Sequence, residues 1–313
     1  MTASSNSPPL AIVGAGAVGT ALAQGLAERG HRVEAVLSRT AASAQTLADR
    51  VGASVADDSW EALPVSVRLV LVCVPDDVIA DVAEGMAVLN HRWDDTIVAH
   101  TSGAKTAAVL APLQENGAAT LSFHPLQTFT KETVPEAFED IIIGLEGDDR
   151  AVAAGKVLVQ SLGAQPIRLS SDDKVRYHCA AALASNGLVA LLSVVEEVFS
   201  VSDLGPEVSG SAVEHVAPLV EQTFENLKRG TPEGVLTGPV ARGDEDTVQA
   251  HLEALQAKSP HHLPLYASLS TEMVRIAVRG GHLSAGQAEA LLDTLQTAID
   301  EIVKGGAPSS PSH

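Results

Sequence analysis

The chain has 313 residues, of which 45% are apolar, and its 20 basic and 39 acidic residues give a formal net charge of −19. This length and apolar content suffice for two domains of ordinary size with a sizeable core. The acidic balance argues against a nucleic-acid backbone or an anionic membrane surface as a partner. A small anion is still an admissible ligand, because a local arginine or a helix N-terminus can outweigh the overall field.

The N-terminus and the cysteines bear on localisation. The opening MTASSNSPPL has neither the basic region nor the apolar run of a signal peptide, and the longest apolar runs are broken well short of a membrane span. Cys73 and Cys179 show no paired spacing and are predicted to be two buried thiols in a reducing compartment. The sequence therefore predicts a soluble cytoplasmic protein with disordered ends at residues 1–9 and 306–313.

From residue 10 to residue 170, short apolar runs alternate with Ala-rich amphipathic segments. Alternating strands and helices predict βαβ units, and hence an α/β domain of the Rossmann type with a doubly wound parallel sheet. The predicted strands are Leu10–Val13, Arg32–Leu37, Leu69–Val74, Thr96–Ala99, Ala119–Phe123, Ile141–Gly144 and Pro166–Leu169. The clearest helical patterns between them are Gly19–Arg29, Thr40–Val51, Asp77–Met86 and Thr106–Gln114.

After residue 170 the pattern becomes purely helical, which predicts an all-α domain over residues 171–305. Ser171 and the acids that follow it favour the start of a long helix that runs to about Ser200. The later predicted helices are Val213–Lys228, Thr247–Ala257, Leu265–Arg279 and Ser284–Val303.

A glycine-rich turn follows the first predicted strand. In AIVGAGAVG, Gly14, Gly16 and Gly19 satisfy GxGxxG between a strand and a helix, which is the context that dinucleotide binding needs. The three glycines would permit a tight turn, the approach of a pyrophosphate and close helix–sheet packing, while the helix N-terminus binds the phosphate. The alternative is a structural turn with incidental glycines. The predicted cofactor-binding residues here are Gly14, Ala15, Gly16, Ala17, Val18 and Gly19.

The end of the second strand indicates which dinucleotide is bound. In NAD sites an acidic residue stands there and binds the ribose hydroxyls. Here the chain reads Ser38-Arg39-Thr40, and Glu34 comes too early for that role. An arginine with two hydroxyls suits a 2′-phosphate, so the sequence predicts NADP(H), with a solvated loop arginine as the alternative.

The third, fourth and fifth predicted strands end in residues that would face the ligand crevice. Val74-Pro75 would form a stiff turn under the cofactor, followed by Asp76 or Asp77 as a helix cap. His100 and Ser102 would line the substrate site, together with His124, which Pro125 holds extended. A structural hydrogen-bonding role for each histidine remains the alternative.

Polar residues recur on one face of the helix KVRYHCAAALASN. Lys174, His178 and Ser185 are spaced by four and seven, and Asn186 lies at the edge of the same face. Polar groups on an apolar helix require water, a cavity or each other. Lys174 and His178 are therefore candidate proton donors, with Ser185 and Asn186 as substrate-binding groups. The alternative is a surface lysine and a core histidine.

Two further signals follow in the helical half. In LTGPVARGDEDTV, Arg242 stands between two glycine turns and could clamp a substrate carboxylate, unless it is only tied to a neighbouring acid. The adjacent His261 and His262 have no carboxylate or cysteine at ligand spacing, and adjacent side chains rarely chelate one ion, so no metal site is predicted.

The segments GAGAVG, CVPDD, HTSGA, SFHPLQTF, KVRYHCAAALASN and LTGPVARGD, in this order, resemble a bacterial oxidoreductase family. Its members join a Rossmann-like domain to an all-helical domain of unknown function that is similar to the C-terminal domain of 6-phosphogluconate dehydrogenase. The resemblance implies an NADP-dependent oxidoreductase that dimerises through its helical domain. It implies more distant kinship with ketopantoate reductases, pyrroline-5-carboxylate reductases, β-hydroxyacid dehydrogenases and deazaflavin-dependent NADP reductases.

The resemblance also implies roles for particular residues. Related dehydrogenases use a helix-borne lysine as the acid and an asparagine further along, roles that would fall to Lys174 and Asn186. A Lys-x-x-x-Asn pattern would need asparagine at position 178, where His178 stands, so the division of labour between Lys174 and His178 is open.

Together these observations predict a reductase that passes hydride from NADPH to the carbonyl of a small 2-oxo acid. Ketopantoate, in pantothenate biosynthesis, is the first substrate to consider. Hydride exchange with a deazaflavin and imine reduction are alternatives within the enzymes, and a non-catalytic NADPH sensor is an alternative of another class. No nucleic acid or membrane partner is predicted.

Overall fold

A computed structural model of the chain describes residues 8–130, 135–200 and 210–305. Most of the two predicted disordered ends, residues 1–7 and 306–313, lies outside the described residues. The chain forms two compact units, Met1–Asn186 and Gly187–His313. The domain boundary predicted at residue 170 falls before the helix that begins at Ser171, and this helix belongs to the first compact unit. The functional boundary between the domains stays a prediction.

The first unit is built on an eight-stranded sheet with the order β3-β2-β1-β4-β5-β6-β7-β8. All neighbouring strands pair in parallel except β6 and β7, which are antiparallel. The chain leaves β1 toward β2 and β3 and returns to β4 on the other side, so a ligand crevice is expected at the carboxyl ends of β1 and β4. The strands are β1 Leu10–Val13, β2 Val33–Leu37, β3 Val55–Asp57, β4 Leu69–Val72, β5 Ile97–His100, β6 Ala119–Pro125, β7 Ile142–Gly147 and β8 Gln165–Arg168.

The continuous apolar strands are explained by burial on both faces of the sheet. In β1, Leu10 and Ile12 pack into one hydrophobic cluster, whereas Ala11 and Val13 pack into the other. A strand that is covered on both sides has no polar face, so its sequence does not alternate. The mostly parallel Rossmann-type sheet that the sequence predicts is confirmed, with β7 as an antiparallel exception.

The helices of the first unit largely follow the predicted periodicity, with three corrections. The helix predicted over Thr106–Gln114 is a 3-10 turn, Ala107–Leu110, followed by the short helix Ala111–Glu115. The long helix predicted from Ser171 to Ser200 is interrupted at Ser185. The prediction that Asp76 or Asp77 caps a helix is wrong, because that helix has Val78 as its N-cap and no side-chain cap. The helices are α1 Ala17–Glu28, α2 Ala41–Val51, α3 Ile79–Ala87, α4 Ala111–Glu115, α5 Asp149–Ser161 and α6 Ser171–Ala184.

The described residues of the second unit form helices and short turns, without a strand, as predicted. Its helices begin with strong local signals: Ser211 and Glu214 form a capping box, and Asp244 caps a helix by accepting from the backbone N–H of Thr247. The helices are α7 Asn186–Ser200, α8 Ala212–Arg229, α9 Pro232–Val235, α10 Pro239–Arg242, α11 Glu245–Lys258, α12 Leu263–Arg279 and α13 Ala285–Gly305.

Two features of the surface, the exposure of Cys179 and an apolar helical stretch, bear on the predicted cytoplasmic localisation. Cys73 is buried, but Cys179 is exposed, so the prediction of two buried thiols is wrong for Cys179. Among the described residues, the stretch Ser171–Ser200 is long and apolar enough to cross a membrane, and an 18-residue window within it has a mean hydropathy of 1.7 and contains no buried residue. Helices that pack in soluble proteins pass the same test, so this is weak evidence for a membrane span.

Candidate active site

The glycine-rich turn is built as the sequence predicts, with one difference. Gly14 has a φ of +107°, and a Cβ there would lie 2.3 Å from the carbonyl oxygen of Cys73. A Cβ at Gly19 would lie 1.9 Å from the carbonyl oxygen of Gly14 and 3.1 Å from the Cβ of Cys73, so Gly19 packs mainly against the turn itself and also against the residue that follows β4. Nothing lies within 4 Å of a Cβ built at Gly16. Gly14 and Gly19 are therefore required by packing, while Gly16 leaves open space beside the backbone.

The N-terminus of α1 is arranged for an anion. Gly16 is the N-cap, and the first turn of α1 has neither a side-chain cap nor an acidic residue. The first N–H groups of a helix have no intrahelical acceptor and carry the positive end of the helix dipole. A phosphate in the open space at Gly16 would satisfy them.

The three residues that follow β2 have different environments. The hydroxyl of Ser38 accepts a hydrogen bond from the backbone N–H of Ala15 at 3.4 Å, so it is tied to the glycine-rich turn. Thr40 is the N-cap of α2, where its hydroxyl accepts from the N–H of Ser43. Arg39 is exposed and makes no ion pair or hydrogen bond within the described part of the chain. The Arg39 guanidinium and the O–H of Ser38 are therefore available to donate to a phosphate, whereas the Thr40 hydroxyl both donates to Ser43 and accepts from it.

The turn Val74-Pro75 is separated from β4 by one residue, Cys73, and it borders the glycine-rich turn. The Val74 side chain lies 3.1 Å from the Cβ position of Gly14. The next residue, Asp76, accepts a hydrogen bond from the Ser102 hydroxyl at 2.8 Å. The carboxyl ends of β4 and β5 are therefore joined by a side-chain contact, a role for Asp76 that the sequence did not indicate.

His100 and Ser102, both predicted to line the substrate site, are buried and largely committed to the backbone. His100 Nε2 lies 3.1 Å from the Thr106 carbonyl oxygen, and its Nδ1 accepts from the Ser102 N–H at 3.1 Å. Burial lowers the pKa of His100 to about 4, so the imidazole is neutral at physiological pH. The Ser102 hydroxyl accepts from the N–H groups of Ala104 and Lys105 while it donates to Asp76. These two side chains shape the loop after β5 and leave no free nitrogen or hydroxyl for a substrate.

Lys174 is the unusual residue of the first unit. It lies on the first turns of α6 and is 0% exposed, yet its ammonium has no ion pair among the described residues. Its Nζ donates to the carbonyl oxygen of Ser102 at 2.9 Å. Burial lowers the pKa of Lys174 to about 8, against the opposing effect of the Glu146 and Asp76 carboxylates. A buried amine that titrates near neutrality is suited to proton transfer.

Glu146 is a second polar residue that the sequence reading missed. Its carboxylate, in β7, is buried and accepts from the Ala107 N–H at 2.7 Å and from the Ser171 hydroxyl at 2.8 Å. Glu146 therefore ties the loop after β5 to the first turn of α6, the helix that carries Lys174. The available signal was a lone carboxylate in the apolar run IIIGLEG.

His124 and His178 converge on Gly103. A Cβ at Gly103 would lie 2.3 Å from His178 Nδ1 and 2.8 Å from His124 Nε2. The two rings pack edge to face with centroids 5.7 Å apart, and Tyr177 packs against His124 in the same way. The Nδ1 atoms of both histidines are buried and have no hydrogen-bond partner among the described residues. Burial lowers the pKa of His124 to about 4, and the nearby Lys174 adds to this effect. Unpaired buried polar atoms beside Lys174 are typical of a site that is completed by a ligand.

The remaining predicted site residues stand at the end of α6 or beyond it in the chain. Ser185 follows the end of α6, and a helical rise of about 1.5 Å per residue puts it roughly 16 Å from Lys174 along the axis. Asn186 is exposed and begins α7. Arg242 ends α10 in the second unit, where its guanidinium lies 3.9 Å from the Asp244 carboxylate. The structure thus brings Lys174, His178 and His124 together, but it does not add Ser185 or Asn186 to that cluster.

The fold and the glycine-rich turn define a class: a Rossmann-type dinucleotide-binding unit followed by a helical unit. The family comparisons are more specific. Residues 5–125 match the Rossmann-like domain, and residues 141–273 match a domain of unknown function, DUF2520. The chain therefore joins a match to the Rossmann-like domain and a match to DUF2520. No curated protein matches the chain.

Several solved structures are similar to this chain over most of its length. One, BF3122 from Bacteroides fragilis, is provisionally designated an NADP oxidoreductase; it is 25% identical, covers 86% of this chain and 99% of its own, and has a TM-score of 0.71. Protein TM1727 from Thermotoga maritima is 25% identical over 86% of this chain and 98% of its own, with a TM-score of 0.68. A reductive aminase from Aspergillus terreus, in complex with NADPH and ethyl-5-oxohexanoate, is 19% identical over 95% of each chain, with a TM-score of 0.58. The last similarity concerns the fold alone.

Proposed function

We propose that the protein is an NADP(H)-dependent oxidoreductase in which Lys174 is the proton donor. The observation that carries this proposal is the buried Lys174 ammonium, which has no ion pair among the described residues and a pKa lowered to about 8. The similarity to the Bacteroides fragilis protein, itself designated an NADP oxidoreductase, supports the same reading.

The residues of the cofactor site fit NADP(H). A pyrophosphate would fit the open space at Gly16 and would bind the uncapped N-terminus of α1. The exposed Arg39 side chain, which has no partner among the described residues, would bind a 2′-phosphate. A carboxylate at the position of Arg39 would repel that 2′-phosphate. When bound, the reduced nicotinamide supplies a hydride.

Reduction of a carbonyl also requires a proton for the developing alkoxide. Lys174 would donate it from the ammonium that now bonds to the Ser102 carbonyl oxygen. The unpaired Nδ1 atoms of His178 and His124 would hydrogen-bond other polar atoms of the substrate. For the division of labour that the sequence leaves open, we propose that Lys174 acts as the acid and that His178 orients the substrate.

For the substrate, we propose a small 2-oxo acid, with ketopantoate as the first compound to test and pantothenate biosynthesis as the context. Imine reduction is the competing activity within the same fold. A preformed iminium already carries its positive charge and needs only the hydride. Loss of the Lys174 ammonium should therefore abolish carbonyl reduction more completely than iminium reduction. The contributions of Asn186 and Arg242 to carboxylate binding stay predictions.

The test is NADPH oxidation with ketopantoate, measured against NADH, for the wild type, Lys174→Met and the exposed-lysine control Lys156→Met. We expect saturable turnover that favours NADPH, a loss of at least about a hundredfold in Lys174→Met, and no change in the control. NADPH binding should survive in both variants. Tight NADPH binding without turnover of any oxo acid, imine or deazaflavin would instead favour a sensor. Equal turnover in Lys174→Met would remove Lys174 from the mechanism.

We also propose that two copies pair through the helical unit. Apolar side chains are exposed on α7 (Leu188, Val189 and Leu191) and on α8 (Leu219, Phe224 and Leu227). Such patches on a soluble protein are typical of contact surfaces. Light scattering should give a dimer, and Val189→Glu with Phe224→Glu should shift it to a monomer. A monomeric wild type at micromolar concentration would contradict this proposal.

A further inference from the structure

Outside the cofactor and Lys174 sites, the second unit contains a cluster of three ligand-type side chains. Glu197 lies on α7, and His261 and His262 lie on the 3-10 turn Pro260–His262 that precedes α12. His262 Nε2 is 2.8 Å and His261 Nε2 is 3.3 Å from the same oxygen of Glu197. One ligand atom from each residue lies within 4.8 Å of the other two. The sequence argued against a metal because no carboxylate stands at ligand spacing and because adjacent side chains rarely chelate one ion. Glu197, 64 residues before His261, supplies the carboxylate, and both Nε2 atoms lie near the same oxygen of it.

The turn that carries the histidines is held in place. Ser259 is buried, and its N–H donates to the Leu255 carbonyl oxygen at 2.7 Å at the end of α11. The His262 N–H donates back to the Ser259 carbonyl oxygen at 3.0 Å, and Pro260 restricts the first residue of the turn. The His262 side chain is only 11% exposed, and the rings of the two histidines lie with centroids 3.9 Å apart. Consecutive histidines therefore project toward the same carboxylate.

We propose that Glu197, His261 and His262 form a binding site for a divalent transition-metal ion of the zinc type. Two imidazoles and one carboxylate match the ligand preferences of Zn²⁺, Co²⁺ and Ni²⁺, whereas Mg²⁺ and Ca²⁺ prefer oxygen ligands alone. Metal–ligand bonds of about 2.0–2.2 Å at tetrahedral angles place neighbouring ligand atoms roughly 3.3 Å apart. The separations of 2.8 and 3.3 Å between the Glu197 oxygen and the two Nε2 atoms are close to that value, and one ligand atom of each histidine lies within 4.8 Å of the other.

The proposed ion would have three protein ligands, which leaves a coordination position for water or another ligand. Hydrogen bonds from His262 and His261 hold the pKa of Glu197 below its ordinary value, so its carboxylate is ionised at neutral pH, as ligation requires. Ion binding would replace these hydrogen bonds with metal–ligand bonds and would require both imidazoles to be neutral.

The test uses the full-length, tag-free protein after treatment with a chelator. Zn²⁺ binding is measured by isothermal titration calorimetry, and Co²⁺ binding by visible absorption. We expect one ion per chain and a loss of affinity of more than about tenfold in Glu197→Gln, His261→Ala and His262→Ala. His261 is well exposed, so its replacement does not disturb the fold.

Two matched controls separate the site from general surface binding. Glu253→Gln removes an exposed carboxylate of α11, and His251→Ala removes a histidine that bonds to Tyr266 instead of Glu197. Both controls should bind the ion like the wild type. Absence of stoichiometric binding, or affinity that is unchanged in the three site variants, would overturn the proposal. Because the readout is ion binding rather than turnover, the result is independent of the proposed oxidoreductase activity.

Discussion

Replacement of Lys174 by methionine should remove activity and at the same time stabilise the protein at neutral pH. Lys174 is 0% exposed, and its pKa falls from 10.5 to about 8 in the folded chain. A shift of this size corresponds to about 3 kcal/mol that the charged form costs the folded state below pH 8. Methionine has a similar length and needs no hydration. It loses the hydrogen bond to the Ser102 carbonyl oxygen, which contributes about 1 kcal/mol. The expected net gain is about 2 kcal/mol at pH 7.

The pH dependence of this difference is the sharper test. The folded state releases the Lys174 proton near pH 8, and the unfolded state releases it near pH 10.5. Between these values the unfolded state binds more protons, so the stability of the wild type should rise relative to Lys174→Met as the pH increases. The variant should be the more stable protein at pH 7 and should lose that advantage by about pH 10.

The assay is urea denaturation of both proteins at pH 7, 8, 9 and 10, with NADPH binding as a check that the fold is intact. Lys156→Met, an exposed lysine on α5, is the matched control and should follow the wild type at every pH. The reasoning is refuted if Lys174→Met is less stable than the wild type at pH 7 and the difference between the two does not change with pH. That result would mean that the Lys174 charge is well solvated in the folded protein.

Three further substitutions examine separate parts of the site. Arg39→Asp should weaken NADPH binding by about tenfold or more and leave NADH binding nearly unchanged, as fluorescence titration would show; equal loss for both cofactors would contradict the 2′-phosphate assignment. Gly103→Ala places a Cβ 2.3 Å from His178 Nδ1, so turnover should fall and the free energy of unfolding should decrease by about 1–3 kcal/mol. Full activity would mean that the histidines can move aside without cost. Glu146→Gln removes a carboxylate that raises the pKa of Lys174, so the alkaline limb of the pH–rate profile should move to lower pH. If the position of this limb does not change, Glu146 has only a structural role.

The sheet and the glycine-rich turn were predictable because they depend on local sequence. Strands that are buried on both faces produce uninterrupted apolar runs, and a turn as tight as that at Gly14 excludes any Cβ. β3 was missed because three residues, Val55–Asp57, are too few for a pattern. The antiparallel direction of β7 was not predictable either, since strand direction depends on pairing partners and not on the strand's own residues.

The sequence could indicate which residues are candidates for the site, but it could not indicate which of them lie close together. Periodicity placed Lys174, His178, Ser185 and Asn186 on one helical face, but helix length separates the last two from the first, and the helix is interrupted at Ser185. Hydrogen-bond partners that are distant in sequence, such as Glu146 for Ala107 and Ser171, have no signature in a single sequence. The same limit hid the approach of Glu197 to the histidine pair.

The polar residues at the carboxyl ends of the strands separate into two groups by their hydrogen bonds. His100, Ser102 and Glu146 direct their bonds mainly to backbone groups of the loop after β5, which costs little and makes that loop rigid. Lys174 retains a charge with no ion pair within the described residues, and His124 and His178 retain buried nitrogens with no partner there. A fold under selection for stability alone would gain from apolar replacements at these three positions. That they remain polar is explained if a ligand completes their hydrogen bonds, since the rigid loop then holds the Lys174 ammonium and the two imidazoles ready for it before it binds.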